Sequence, residues 1–144
     1  MAALKITCAY HGSKKTGTQI MIRILIVDDH AMVRQGLGQV LNCVDDFLVI
    51  GNACDGLEAV DLCHILEPDI VLMDVAMPKM DGLTASRMLH HSNPNVKIIV
   101  LSAFSDETLL QEALHTEVEV ILSKEASINE ILDTVYAVSG IVRG

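Results

Sequence analysis

The sequence predicts a doubly wound α/β fold, a parallel sheet with helices on both faces. Two patterns carry that prediction. Short apolar runs alternate along the chain with segments whose apolar residues recur at helical spacing. The runs are continuous rather than alternating, as suits strands covered on both sides. A third observation concerns one end of the sheet. Four runs stop at residues with polar chemistry: Val27 before Asp28 and Asp29, Met73 before Asp74, Leu101 before Ser102, and Leu122 before Ser123 and Lys124. Open parallel sheets bind ligands beyond the carboxyl ends of their strands, where strand order reverses. These side chains are therefore expected to share one crevice.

Taken in order, the expected strands are Ile22 to Val27, Phe47 to Ala53, Ile70 to Met73, Val96 to Leu101 and Val118 to Leu122. Four of them are rich in Ile and Val, which favour pleated surfaces. Val33, Leu37, Val40, Leu41 and Val44 mark the first helix, and Ala59, Val60, Cys63 and Leu66 the second. Leu83 to His91 has the weakest helical pattern. Leu109, Leu110, Ala113 and Leu114 mark the next helix, and Ile128, Ile131, Leu132, Val135 and Val138 the last. Asp55 with Glu58 and Ser127 with Glu130 are spaced to cap two helix starts. Pro68 and Pro94 stand just before strands, while Pro78 and Gly82 fit a turn after the third. Five such β-α units with right-handed crossovers build the sheet.

A chain of 144 residues, 51% of them hydrophobic, supports one domain with its own core. Mean hydropathy is +0.42, yet every apolar run falls far short of the ~20 residues that span a bilayer. The expectation is a soluble protein that does not insert in membranes. Nineteen acids against ten bases leave a charge of −9, which argues against direct nucleic-acid binding. Cys8, Cys43, Cys54 and Cys63 lack CxxC spacing and read as reduced core thiols of a cytoplasmic protein. The six histidines, among them His90 and His91, show no HxxxH spacing and are expected on solvated helix faces, not at a metal. Met73, Met77, Met80 and Met88 read as packing residues. Residues 1–20 have no secretory core. They are expected to be an alternative-start extension, an expression remnant or a disordered arm.

The stretches Ile24-Leu-Ile-Val-Asp-Asp-His30, Val71-Leu-Met-Asp-Val-Ala-Met-Pro-Lys-Met-Asp-Gly82, Leu101-Ser-Ala103 and Leu122-Ser-Lys-Glu-Ala-Ser127 together resemble a bacterial response-regulator receiver domain. The run VDDHAMVRQGL and the ending SKEAS are most similar to the NarL/FixJ (LuxR-type) subfamily. The resemblance spans residues 21–140, leaving 141–144 as the start of a linker or tail. It implies a flavodoxin-like (βα)5 fold with strand order 2-1-3-4-5. It also implies a phosphoacceptor at Asp74 that is charged by a sensor histidine kinase. Catalysis would be limited to self-catalysed phosphoryl transfer and autodephosphorylation, so the protein is not expected to be an enzyme with a separate substrate.

The residue chemistry agrees. A carboxylate at Asp74 can attack a phosphoryl group and form a covalent intermediate. Three acids at Asp28, Asp29 and Asp74 would repel by ~1 kcal/mol per pair at ~4 Å in water and ~4 at an effective dielectric of 20, so they call for a cation. Hard oxygen ligands suit Mg²⁺. By resemblance, Asp29, Asp74 and the Ala76 backbone carbonyl hold the metal directly, and Asp28 acts through water. Lys124 supplies an ammonium for Asp74 and then for a phosphoryl oxygen, and Ser102 offers it a hydroxyl. The added charge would draw Ser102 inward and switch the surface between about Ser105 and Ser139.

Three positions depart from the family pattern. Ile121 stands where many receivers carry a switching aromatic, Glu117 where a glycine is usual, and Ala76 where a longer side chain often screens the phosphoryl group from water. The subfamily further implies a homodimer through the receiver surface and DNA contact only through a helix-turn-helix output domain, which these residues do not include. Two other functions stay open on sequence grounds. One is a pseudo-receiver that binds partners without phosphorylation. The other is a haloacid-dehalogenase-type phosphatase, whose second aspartate would fall at Ala76.

Overall fold

Five parallel strands in the order β2-β1-β3-β4-β5 form the centre of the protein. They are β1 Ile22–Val27, β2 Phe47–Ala53, β3 Ile70–Asp74, β4 Lys97–Ser102 and β5 Val120–Ser123. The helices are α1 Ala31–Asn42, α2 Gly56–Leu66, α3 Gly82–Ser92 and α4 Ile128–Ser139. This computed structural model describes residues 21–75, 77, 79–102, 111 and 118–141. The helix expected around Leu109 to Leu114 lies outside them, apart from Gln111. The expected strand order is the one observed. Its reversal falls between β1 and β3, where Val27 pairs with Ala53 on one side and Met73 on the other.

Side-chain alternation sorts the core into two layers. Ile22, Ile24 and Ile26 of β1, Ile70 and Leu72 of β3, and Ile99 of β4 pack with Leu41, Phe47, Leu132, Val135 and Tyr136. Leu25 and Val27, Val71 and Met73, and Ile98 and Val100 face the opposite layer with Ala59, Cys63, Leu83 and Leu89. A period of two along strands covered on both faces requires this division, and it explains why each run reads as continuously apolar.

Element boundaries differ from expectation where backbone pairing outruns the apolar pattern. Asp74 joins β3 because it pairs with Leu101, and Ser102 joins β4 because it pairs with Ser123. β5 begins at Val120 rather than Val118, and β4 at Lys97 rather than Val96. Gly82 opens α3 and is not a turn residue. Asp81 caps that helix, its Oδ1 accepting from Thr84 N at 2.9 Å. The two expected caps form. Asp55 Oδ1 accepts from Glu58 N at 2.9 Å. Ser127 and Glu130 make a reciprocal capping box, with Glu130 N donating to Ser127 Oγ at 3.1 Å and Ser127 N to Glu130 Oε1 at 3.0 Å.

Two side-chain expectations need correction. Cys63 is a core thiol, pushed up to about 12 by burial, but Cys54 is exposed at the end of β2. Met73 is buried and Met77 and Met80 pack on the core, whereas Met88 lies on the outer side of α3 at 44% exposure. Among the described residues, no helix is long and apolar enough to cross a membrane.

Candidate functional site

Asp28 follows β1 and extends its ladder, donating its backbone N–H to Ala53 O at 3.0 Å. That pairing turns the side chain inward, and Asp28 is 1% exposed. Asp74 ends the neighbouring β3 and is equally buried. Asp29 stands at the pocket rim. One carboxylate oxygen from each of these acids, with a ring nitrogen of His30, falls within 4.8 Å of the others. Strands that meet where the order reverses thus deliver three acids to one point.

Lys124 enters from the edge. Its backbone N–H donates to Ser102 O at 2.9 Å, which carries the β4–β5 pairing one residue past β5. The side chain then places Nζ 3.0 Å from Asp74 Oδ1 and 3.5 Å from Asp28 Oδ2. Burial pushes this ammonium's pKa down, but the hydrogen bond and attraction of Asp74, followed by Asp28, outweigh burial and leave it above its ordinary value.

The sign of the linkage follows. A cation whose folded pKa is raised stabilises the fold fully below its unfolded pKa of about 10.4, and that stabilisation is lost as pH rises through the folded value. Wild type should lose stability over that alkaline range more steeply than Lys124→Met. Denaturant midpoints measured from neutral to alkaline pH check this, and parallel curves would refute it.

The expected site residues do not all make the contacts expected of them. Asp28, Asp29, Asp74 and Lys124 converge. Ser102 is buried at the same row of strand ends, level with Ser123. Its carbonyl, rather than its hydroxyl, makes the described contact with Lys124. Ile121 is half-buried, pairs with Val100 and packs against the core layer that contains Val27 and Met73. Ala76, Glu117 and most of the surface from Ser105 to Val118 lie outside the described residues.

Sequence reasoning missed His30. It was expected on a solvated helix face, yet its Nδ1 lies 3.0 Å from Asp28 Oδ1 and 3.0 Å from Asp29 Oδ1. The available signal was adjacency to two aspartates at a strand end, which a search for histidine-to-histidine spacing does not detect. Arg34 was also missed, and it donates from Nη1 to Asp28 O at 2.6 Å.

The loop after β3 is tied down at three points. Gly82 N donates to Val75 O at 2.9 Å and Gly56 N to Met80 O at 3.1 Å. Lys79, with a left-handed φ of 64°, sits 3.5 Å from Asp55. Asp55 in turn is held below the usual carboxylate range, first by the N–H of Glu58 and also by Lys79, against an opposing push from burial. This loop leaves Asp74 and returns to Gly82, so its anchors position the site.

The donor set suits a hard divalent cation. Three carboxylates converge, and the buried Asp28 Oδ2 accepts no hydrogen bond, its partner being the Lys124 ammonium at 3.5 Å that Asp74 also uses. One ammonium shared among three carboxylates leaves negative charge in a buried pocket, which is costly and which a divalent cation offsets.

Comparison with known proteins agrees with this geometry. The family model described as response regulator receiver domain matches residues 24–136. The transcriptional regulatory protein LiaR of Bacillus subtilis is 40% identical over 119 residues, which cover 83% of this chain and 56% of LiaR. The chain thus spans about half the length of such relatives. A DNA-binding response regulator of the LuxR family from Staphylococcus aureus superposes with a TM-score of 0.78 at 28% identity, covering 83% of this chain and 99% of that one. CheY of Borrelia burgdorferi, solved in a CheX-CheY-BeF3-Mg²⁺ complex, gives 0.74 at 32% identity over 83% of this chain and 90% of its own. With the strand order, the acid pocket and the lysine in place, the chain belongs to the response regulator receiver domain family.

Proposed function

We propose that this receiver takes a phosphoryl group onto Asp74 from the phosphohistidine of a sensor kinase and is the regulatory unit, over residues 21–140, of a DNA-binding transcriptional regulator. One observation carries the reading: the Lys124 ammonium touches Asp74 Oδ1 at 3.0 Å beside two further carboxylates at the strand-order reversal. In the transfer, an Asp74 oxygen forms the bond to phosphorus while the donor's P–N bond breaks and its electron pair leaves with the imidazole. Asp28, Asp29, Asp74 and the Ala76 carbonyl would hold Mg²⁺, which when bound offsets charge on the phosphoryl oxygens.

The chain's own groups do the rest. Lys124 holds the Asp74 carboxylate before transfer and pairs with a phosphoryl oxygen after it. Ser102, at the end of β4 next to the strand that carries Asp74, would donate its hydroxyl to that group. Both act on the chain's own modification and its hydrolysis, with no second substrate. Ile121 packs inward as an aliphatic residue, so the readout here relies on Ser102 rather than on an aromatic rotation at position 121. The BeF3 and Mg²⁺ in the CheY complex support the reading by similarity. The DNA-binding role rests on LiaR, named a transcriptional regulatory protein and covered over 56% of its length, and on the LuxR-family structure named a DNA-binding response regulator.

Incubation with a small acyl phosphate and Mg²⁺ should add one phosphate per chain by intact mass. The modification should be absent in a folded Asp74→Asn variant. Phosphate that persists in that variant, or is never gained by wild type, overturns the proposal.

A further inference from the structure

The rim of the acid pocket carries an imidazole to which phosphoryl transfer gives no role. His30 Nδ1 lies 3.0 Å from Asp28 Oδ1 and 3.0 Å from Asp29 Oδ1, within the same 4.8 Å group as Asp74. The backbone holds the ring there. His30 is the N-cap of α1 in an extended conformation, its N–H donates to Asp28 Oδ1 at 2.8 Å, and its carbonyl accepts from Arg34 N at 3.1 Å. A second observation points to a ligand: Asp28 is 1% exposed, and its Oδ2 accepts no hydrogen bond and has only an ion pair at 3.5 Å with the Lys124 ammonium, which Asp74 Oδ1 holds more closely at 3.0 Å.

The chemistry of this set differs from that of an all-oxygen site. Mg²⁺ takes oxygen ligands and keeps several waters. Imidazole instead suits first-row transition ions, whose affinity for mixed nitrogen and oxygen sites rises from Mn²⁺ towards Cu²⁺. We propose that His30 is a fourth ligand through Nδ1, so that the pocket takes Co²⁺ or Zn²⁺ through carboxylates plus an imidazole, and Mg²⁺ through oxygens alone. In the bound form the ring proton resides on Nε2. The His30 side chain is 64% exposed, so that proton can face water and is not stranded. This inference rests on the pocket being the cation site proposed above, and adds a discrimination between two classes of ion.

Calorimetric titration of the whole chain with CoCl₂ and, separately, with MgCl₂ tests it on wild type and His30→Ala. Co²⁺ affinity should fall by at least the ~10-fold typical even of outer-shell ligand partners, while Mg²⁺ affinity stays within about twofold, as expected if Mg²⁺ does not use the imidazole. Independently of the variant's folding, Zn²⁺ should shift the His30 ring resonances of wild type and Mg²⁺ should leave them nearly in place. Equal losses for both ions, no loss for either, or a ring insensitive to Zn²⁺ overturns the role of His30. Asp74 phosphorylation in Mg²⁺ would survive those results. If neither ion binds wild type, the cation site itself fails, and both proposals fall with it.

Discussion

Gly82→Ala is expected to cost about 3 kcal/mol or more, the upper range for forcing an added methyl into a packed site, and to slow phosphorylation of the protein that remains folded. A Cβ built on Gly82 overlaps the Asp74 carbonyl oxygen. It would also lie 2.9 Å from the Asp74 carbonyl carbon and 3.0 Å from Met73 Cγ. The obstacle is backbone, which cannot rotate away as a side-chain tip can. The strand that would have to yield carries Asp74, the proposed phosphoacceptor, and the helix that would have to retreat is pinned by Gly82 N to Val75 O. The requirement is one of space, since Gly140 is the one described glycine with positive φ. Gly36→Ala, on the exposed side of α1 with nothing within 4 Å, is the control and should gain about 0.5–1 kcal/mol. Urea unfolding of both variants checks the pair. A loss below about 1 kcal/mol for Gly82→Ala, less than the overpacking range, would show that α3 can back away from Asp74.

Phe47→Ala should cost about 3–5 kcal/mol, the usual range for a buried aromatic deleted from a core. Phe47 is fully buried at the start of β2, and its ring centroid is 4.8 Å from that of Tyr136 at 45°. The two are the only Phe, Tyr or Trp among the described residues, so among these no ring besides Tyr136 is at hand to fill the cavity. The same truncation loosens α4, since Tyr136 Oη donates to Asp46 Oδ2 at 2.9 Å from its place over Phe47. Phe47 pairs with Ile22, at the opposite end of β1 from Asp28. Folded Phe47→Ala should therefore accept phosphate at the wild-type rate. A melting temperature within a few degrees of wild type would contradict the stability prediction, because about 3 kcal/mol corresponds to roughly 10 °C in a domain of this size.

The two predictions illustrate what could and could not be read from residue order. The strands were legible because both faces of the sheet are covered, so Ile24-Leu-Ile-Val27 and Ile70-Val-Leu-Met73 had to be apolar throughout. The caps at Asp55 and Ser127 were legible because their chemistry is contained within four residues. The convergence of Asp28, Asp29, Asp74 and Lys124 followed from placing each at a strand end and from the order of those strands. Contacts set by the approach of distant segments were not legible. Nothing local to Gly82 reports the Asp74 carbonyl against it, and the Asp81 cap was hidden in a run that also fits a turn. His30 was discounted because its partners are aspartates rather than histidines. Cys54 and Met88 lie outside the core because of the side of the fold on which they emerge, which neither residue type encodes.

β5 is four residues long, pairs among the described residues with β4 alone and is half-buried along its whole length, yet its end carries the lysine that touches Asp74. β1 and β3, by contrast, are bonded on both flanks and fully covered in the core. Any change in charge at the centre therefore pulls, through Lys124, on the strand with the fewest restraints. Displacing an outer strand breaks one ladder instead of two, so the molecule is expected to be most compliant along the line that leads from Asp74 through Lys124 to its rim. A modification in the interior can in this way be felt at the outside without disturbing the strands that hold the reacting groups in register.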